Sequence, residues 1–533
     1  MTHLALRLRI EPDGVRVVWR LEGAAFDTGE AVAELPLSIA GAPTIELADD
    51  ELSAADDAGP LGLVRSVEDD AEGEPAHRWR AERAGVGDVE VSYLARPEAA
   101  EPRPATPPLE LRREGTGLSG ALKCFLVLPV GHPDATFEIR WEPPLGVRPA
   151  EGWLAVTSLG EGDGADGELG GRGLERLGDT YVMCGHLAAS HHRDGQMSTW
   201  WLTPPGLDVE AFGRRLGTTY DVMTRAFDAP AHPYRVFLRS HPHQGANGSA
   251  HPASFVMATN PGQPLEEAKI FELVAHELVH EWLHLDGPRD EVTWFVEGAA
   301  DYYSLVLPLR AGLIEDDAFL RAVNQEARTC YANPRRGLTL HEAEHVFFTD
   351  FMAHWLPYGR GMFYLADLDA RLRAATSERQ SVDDIVRDVV RRRRGGERVG
   401  VGGWCDLVDE IIPGVERQAL EELAFTGVRR PGPGTFGPRF ELTEVLAPVL
   451  DLGFAPSTFV SRRVRDLVPD GPADRAGLRE GDVVELPGFF DALALRPGDV
   501  LDVRVIREGR TTRHPIALGE LPTAAVPQWH PAD

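Results

Sequence analysis

The chain is poor in cysteine, with 4 in 533 residues. Cys124, Cys184, Cys330 and Cys405 are widely spaced and form no CxxC pair, which excludes a disulfide framework and points to the reduced thiols of a cytosol. Positive charge is scarce too. Lys and Arg number 54 against 84 Asp and Glu, a formal net charge of -30, so a nucleic-acid surface is excluded. The one basic run, Arg391 to Arg394, follows a helical stretch and reads as a solvated helix end. No apolar run is long enough for a membrane span. The opening Met1–Arg7 lacks the apolar core of a signal peptide, and no internal repeat is evident. The expectation is a cytoplasmic protein with no membrane or nucleic-acid partner.

A chain of this length holds several domains with ample cores. Residues 1–175 alternate apolar and polar positions, as in Val15-Arg16-Val17-Val18-Trp19 and Phe137-Glu138-Ile139-Arg140-Trp141, and predict half-buried strands of a β-sandwich. The Pro-rich 101–108 and the Gly/Asp-rich 160–173 read as exposed loops. Residues 176–430 turn mixed and then mainly helical. Pro431-Gly432-Pro433-Gly434 marks a linker before a last domain over 440–520.

Against that background, His276-Glu277-Leu278-Val279-His280 is the most informative stretch, an HExxH pattern in a helical context. On an α-helix, positions i and i+4 lie on one face, one turn apart. His276 and His280 can therefore grip a single zinc ion, with Glu277 beside its open position. Trp294–Tyr303 reads as a second helix that puts Glu297 and Asp301 on a shared face. The short connection 286–290 lets this helix fold back on the first. Glu297 then completes a His, His, Glu set for one zinc ion per chain, leaving the fourth position for water, as a catalytic site requires. Asp301 is placed to accept the free ring N–H of a bound histidine and fix its orientation. Gly298 removes a side chain where two helices approach.

HExxH also arises by chance on surface helices; the Glu297 and Asp301 pair argues against that here. A metzincin-like site would draw its third ligand from Asp286, but it needs glycine at the intervening turn, where Leu283 stands. His284 reads as a capping or supporting histidine. The set predicts water that ionises near neutral pH. Glu277 would be its general base and later the general acid toward the leaving amine.

HExxH followed by Glu-Gly on a second helix resembles the gluzincin arrangement of the thermolysin-like zinc peptidases. Trp282 and the Trp-Phe-Val-Glu-Gly…Tyr-Tyr segment resemble the glycyl aminopeptidase branch, although the connection from His280 to Glu297 is shorter than that branch usually shows. The resemblance implies a multidomain α+β protein: an N-terminal β-rich domain, a thermolysin-like catalytic domain and a C-terminal PDZ domain. It also implies a tyrosine that stabilises the transition state. Tyr358, in Pro357-Tyr358-Gly359-Arg360-Gly361, matches the Tyr-x-Lys-Gly segment of related aminopeptidases, with Arg360 in place of lysine. A ring packed at a helix start with a solvated hydroxyl is the alternative, and Tyr302 and Tyr303 are fallback candidates.

The family carries a Gly-Gly-Leu-Glu-His loop and an edge strand that hold the substrate backbone, and the glutamate helps bind its free α-amino group. Gly248 and His251 match that loop and are the expected substrate-binding residues, but Ala250 stands at the glutamate. A methyl group cannot pair with an ammonium ion, so exopeptidase and endopeptidase action both stay open. An ordinary Gly/Asn turn is the alternative reading of the loop.

The tail resembles a PDZ domain, with Leu452-Gly453-Phe454 as its carboxylate-binding loop and the signatures 469–473 and 476–482. Such a loop can capture a C-terminal peptide while the peptide adds to a sheet edge. The alternative is a small β domain that merely packs on the catalytic one. The expected function is a zinc-dependent metallopeptidase, aminopeptidase or endopeptidase, acting on peptide or protein substrates. The rival is a catalytically inactive peptide-binding scaffold that uses the PDZ domain; the intact His276, Glu277, His280 and Glu297 set favours the enzyme.

Overall fold

The computed structural model describes residues 2–69, 75–97, 106–144, 146–147, 152–162, 164–167, 173–242, 246–263, 266–414, 417–420, 423 and 430–532. Much of the two loops expected at 101–108 and 160–173 lies outside them. The chain clusters into two compact units, Met1–Gly217 with His232–Glu266, and Thr218–Ala231 with Glu267–Asp533.

The first unit is built from strands whose alternation was legible. Leu4, Leu6, Leu8 and Ile10 of His3–Glu11 are buried, and their neighbours in sequence are more exposed. That strand pairs antiparallel with Gly14–Leu21 and parallel with Thr136–Glu142, within a seven-stranded sheet. A four-stranded sheet, with Ala31–Pro36 and Pro75–Ala81 at its centre, joins the same core: Trp19 of one sheet and Trp79 of the other belong to one apolar cluster. Burial of these large rings is the main driving force here, about 25 cal/mol per Å² of apolar surface.

The β region runs further than position 175. Gly117–Ala121 pairs with Tyr181–Gly185, which also pairs with Leu154–Thr157, so one sheet crosses the expected boundary. A further sheet in this unit has the strand order Ala188–His192, Met197–Trp201, Tyr234–Ser240, Ser254–Thr259, Ala246–His251. Its inner strand Ser254–Thr259 is buried at every position, so it shows no alternation to read. Arg239 lies wholly inside this unit. Its Nη2 donates to Glu110 Oε1 at 2.7 Å, and its Nη1 to the carbonyl oxygens of Pro108 at 2.7 Å and Glu110 at 3.1 Å.

The second unit is mainly helical up to residue 409. A motif helix, Glu267–Val279, precedes an acid helix, Arg289–Arg310. A tyrosine helix, Leu356–Thr376, packs on the acid helix where Gly298 faces Gly361. A Cβ on Gly298 would collide with the Gly361 backbone, and one on Gly361 with the Trp294 carbonyl, so the close approach requires both glycines. The basic run ends the helix Val382–Arg394, where cations favour the helix dipole. Only part of it is solvated as expected: Arg393 is drawn in to Asp286 at 2.8 Å.

The tail extends past residue 520. Phe440–Pro448 pairs antiparallel with Thr523–Pro531, and the residues between them form a core around Leu452, Phe459, Leu478, Leu501 and Ile516. Met352 of the helical region belongs to that same core. All four cysteines are buried and none forms a disulfide. Among the described residues, no helix is long and apolar enough to cross a membrane.

Candidate metal centre and catalytic site

The motif helix has its last α-helical residue at Val279, and His280 follows in the closing turn, where the Leu283 N–H still reaches the Val279 carbonyl at 3.1 Å. The i, i+4 relation is preserved. His276 Nε2 and His280 Nε2 lie 3.1 Å apart. Glu297, from the acid helix, brings Oε2 to 3.3 Å from the first nitrogen and 3.6 Å from the second. A tetrahedral ion with ligands at about 2.0–2.1 Å has ligand–ligand edges of about 3.3–3.4 Å. The triangle fits that ion, and it is the one set of three or more metal-binding side chains among the described residues.

The charges suit a cation. Burial would raise the Glu297 carboxyl, but His280 and His276 hold it down at about 2, so it is ionised. Burial lowers His280 to about 4, against the pull of Glu297, and leaves it neutral. Burial disfavours charge on His276 as well, yet the carboxylates of Asp301 and Glu297 outweigh it and raise its pKa well above the usual value. Asp301 Oδ1 lies 2.8 Å from His276 Nδ1. That contact keeps a proton on Nδ1, so Nε2 is the nitrogen that faces the triangle and the one left to bind an ion once its own proton is displaced.

Glu277 is buried in the motif helix, and its charge is felt at the Tyr358 hydroxyl. Tyr358 stands in the first turn of the tyrosine helix, its ring stacked on His276 at 5.9 Å and its hydroxyl bonded to Glu297. Burial, then the charges of Glu297, Asp301 and Glu277, raise its phenol pKa well above 10, so it is a proton donor at neutral pH. Arg360 turns elsewhere, donating to the carbonyls of Arg336 at 3.0 Å and Leu338 at 2.7 Å. Neither fallback tyrosine joins the cluster: Tyr303 donates to Asp383 at 3.1 Å, and Tyr302 packs beside it and on Phe436. Asp286 is held by Arg393 and by the Val399 N–H at 2.8 Å, and His284 contacts Arg393, so both support a turn.

Two groups near this centre were not singled out from sequence. His354 lies one turn before Tyr358, its ring 5.3 Å from the tyrosine and 4.2 Å from Phe347, close enough to Glu297 to sense its charge. Its i, i+4 spacing from Tyr358 was the available signal. Glu326, from the helix Asp316–Tyr331, is buried with Oε1 unpartnered, and burial with the nearby Asp301 charge raises its pKa well above the carboxylate range. Nothing local in the sequence marked it.

The remaining expected site residues belong to other elements. Gly248 is in Ala246–His251, which pairs on one side with Ser254–Thr259 and is the last strand of its sheet. His251 ends that strand but is buried, its Nδ1 2.7 Å from the Asp179 carbonyl oxygen and its ring 5.2 Å from Tyr181. In the tail, Leu452 and Phe454 are buried, while Gly453 takes φ 77° against Gly471 and Pro472, a conformation that favours glycine. The carbonyl oxygens of Leu452 and Gly453 accept from Ala473 at 3.0 Å and Val468 at 2.8 Å.

Residues 286–360 match the sequence model of the M61 glycyl aminopeptidase family. That span includes Glu297, Asp301 and Tyr358 and begins after the two histidines. No curated protein matches the chain in sequence. In fold, the chain is similar to an aminopeptidase N family protein from Idiomarina loihiensis, with a TM-score of 0.66 at 14% identity, over 98% of this chain and 97% of that one. It is also similar to an M1 zinc metallopeptidase from Deinococcus radiodurans, a mutant bound to a Tyr-Ser-Ala substrate, with a TM-score of 0.50 at 18% identity, over 81% and 94%. Native yeast LTA4 hydrolase gives a TM-score of 0.50 at 14% identity, over 81% and 69%. At such identities these likenesses speak to the fold: a mixed α+β protein with an N-terminal β-rich region and a helical region.

Proposed function

We propose that this chain is a zinc-dependent metallopeptidase in which His276, His280 and Glu297 hold one zinc ion, Glu277 carries the proton, and Tyr358 donates to the oxyanion. The family match and the zinc metallopeptidase among the fold's relatives support that chemistry. The single observation that carries it is the 3.1, 3.3 and 3.6 Å triangle of ligand atoms. When bound, zinc supplies a Lewis acid and lowers the pKa of water from about 15.7 to about 7.

The other tasks fall to side chains. Asp301 holds His276 in the tautomer that leaves Nε2 free for the ion. Glu277 takes a proton from the attacking water and returns it to the amine as the C–N bond breaks, so no proton is left over. The Tyr358 phenol, protonated in its acidic surroundings, donates to the carbonyl oxygen as negative charge develops there.

Aminopeptidase action is the narrower reading, and the M61 match and the Idiomarina protein's description support it. Ala250 opposes it, because that position offers no carboxylate to a free α-amine. On this reading Gly248 leaves room for a substrate backbone along the edge strand, and His251 steadies the strand's end from within. The tail is read as PDZ-like, with Leu452, Gly453 and Phe454 as the loop that takes a peptide C-terminus.

The test is a product map from a mixed peptide pool, with and without a chelator. Glu277→Gln should keep zinc and lower turnover about 10²–10⁴-fold; undiminished hydrolysis would remove the assigned base. Dependence on a free amine marks an aminopeptidase, whereas equal cleavage of blocked peptides marks an endopeptidase.

A further inference from the structure

Tyr358 is bordered on its C-terminal side by glycines, and what braces it comes from the other direction. A Cβ at Gly359 would lie 2.6 Å from Cys330 Cβ, and Gly361 is pressed against the acid helix, so neither position can carry a supporting side chain. The ring is flanked by His276, by Phe347 at 6.3 Å, by His354 and by Trp355 at 5.3 Å. Trp355 is in turn packed edge-on by Phe490 at 5.6 Å. Phe490 belongs to the short helix Phe489–Leu493 of the tail, and its neighbour Phe489 packs on Phe459 at 5.5 Å and on Phe351 at 5.1 Å. An unbroken run of ring contacts thus leads from the tail's core to the metal-binding face.

Trp355 shows a second peculiarity. Its indole N–H is buried with no hydrogen-bond partner. A buried donor left unsatisfied costs about 1–3 kcal/mol, and phenylalanine would carry no such donor. The indole is therefore a poor choice for stability alone, and its breadth is what fills the space between Phe490 and Tyr358.

We propose that Trp355 and Phe490 are positioning residues that hold the Tyr358 hydroxyl in place, and that the C-terminal region thereby forms a supporting wall of the catalytic site. This rests on the reading of Tyr358 as the oxyanion donor. Displacing that hydroxyl by a fraction of an ångström weakens a bond made chiefly in the transition state, so the effect falls on kcat and leaves KM unchanged.

The experiment uses the full-length, zinc-loaded chain and compares W355F, Phe490→Leu, Tyr358→Phe and the W355F/Tyr358→Phe double variant. W355F should unfold at the same or a higher temperature and keep its zinc. Its kcat should nevertheless fall about 10- to 100-fold at constant KM. Affinity for a phosphinic peptide, which mimics the tetrahedral oxyanion, should fall by the same factor in calorimetry. Phe490→Leu should act in the same direction, more weakly. In the Tyr358→Phe background, W355F should add nothing.

An undiminished kcat in W355F, or an equal further loss in the Tyr358→Phe background, overturns the positioning role and leaves the tyrosine's own role standing. A Tyr358→Phe enzyme with native kcat and native phosphinic affinity instead removes the tyrosine's assignment, and the positioning role with it.

Discussion

Two buried polar clusters among the described residues, one in each unit, are built for opposite ends. In the β unit, Arg239 is closed off: its guanidinium meets the Glu110 carboxylate, the Tyr181 hydroxyl and two carbonyl oxygens, and the residue is 1% exposed. In the helical unit, His276 Nε2, His280 Nε2 and a Glu297 carboxylate oxygen converge on one point, and their side chains stay 14%, 15% and 20% exposed. In the first cluster donors meet acceptors, and Arg239 Nε alone of the guanidinium nitrogens is left without a partner. The second gathers its ligand atoms within 3.1 to 3.6 Å of one another, with a proton on His276 that a cation can displace. Burial alone does not distinguish a structural network from a working one; the direction in which the donor and acceptor atoms converge does.

Breaking the closed cluster should produce the largest effect on stability. Glu110→Ala leaves Arg239 charged and underpaired in the interior, which costs about 3–5 kcal/mol. Thermal unfolding should register this, while zinc affinity stays native; a matching loss of zinc affinity would blur the distinction between the clusters. The open cluster should respond the other way. Asp301→Ala removes the partner of His276 Nδ1 and should weaken zinc binding about 10- to 100-fold, with a smaller change in unfolding temperature. Retained affinity would show that the Asp301 carboxylate is not what orients the histidine.

The smallest predicted effect is the sharpest in chemistry. With no metal present, Asp301 and Glu297 keep His276 protonated at pH 7, because its pKa is raised, while His280 at about 4 is neutral and Glu297 at about 2 is ionised. Zinc must displace the His276 proton, so loading at pH 7 should release about one proton, and affinity should fall as pH drops below the His276 pKa. Calorimetry in buffers of different ionisation enthalpy measures that count. A release near zero would contradict the charge states assigned to the site.

What could be read from sequence followed the range of the contacts. His276 with His280, and Glu297 with Asp301, are each separated by one helical turn, so helix geometry alone puts each pair on one face. Tyr358 was legible through resemblance, because its approach to His276 depends on Gly298 and Gly361 letting two helices meet. Glu326 joins the site through packing of a distant helix and left no local mark, whereas His354 left only its i, i+4 spacing from Tyr358. One sheet spans position 175 because Gly117–Ala121 takes its partner from Tyr181–Gly185, and strand pairing over that distance leaves no periodic trace. The closing strand Thr523–Pro531 lies beyond the expected tail and carries Pro527 and Pro531. In a two-stranded pair, one side of each strand has no ladder bonds to lose, and proline is tolerated there.

An anomalous-scattering map of zinc-loaded crystals tests most directly where the ion binds. One peak per chain should appear within about 2.0–2.2 Å of His276 Nε2, His280 Nε2 and a Glu297 carboxylate oxygen. A peak elsewhere, or none in fully loaded protein, would contradict the assignment of these residues as a metal centre.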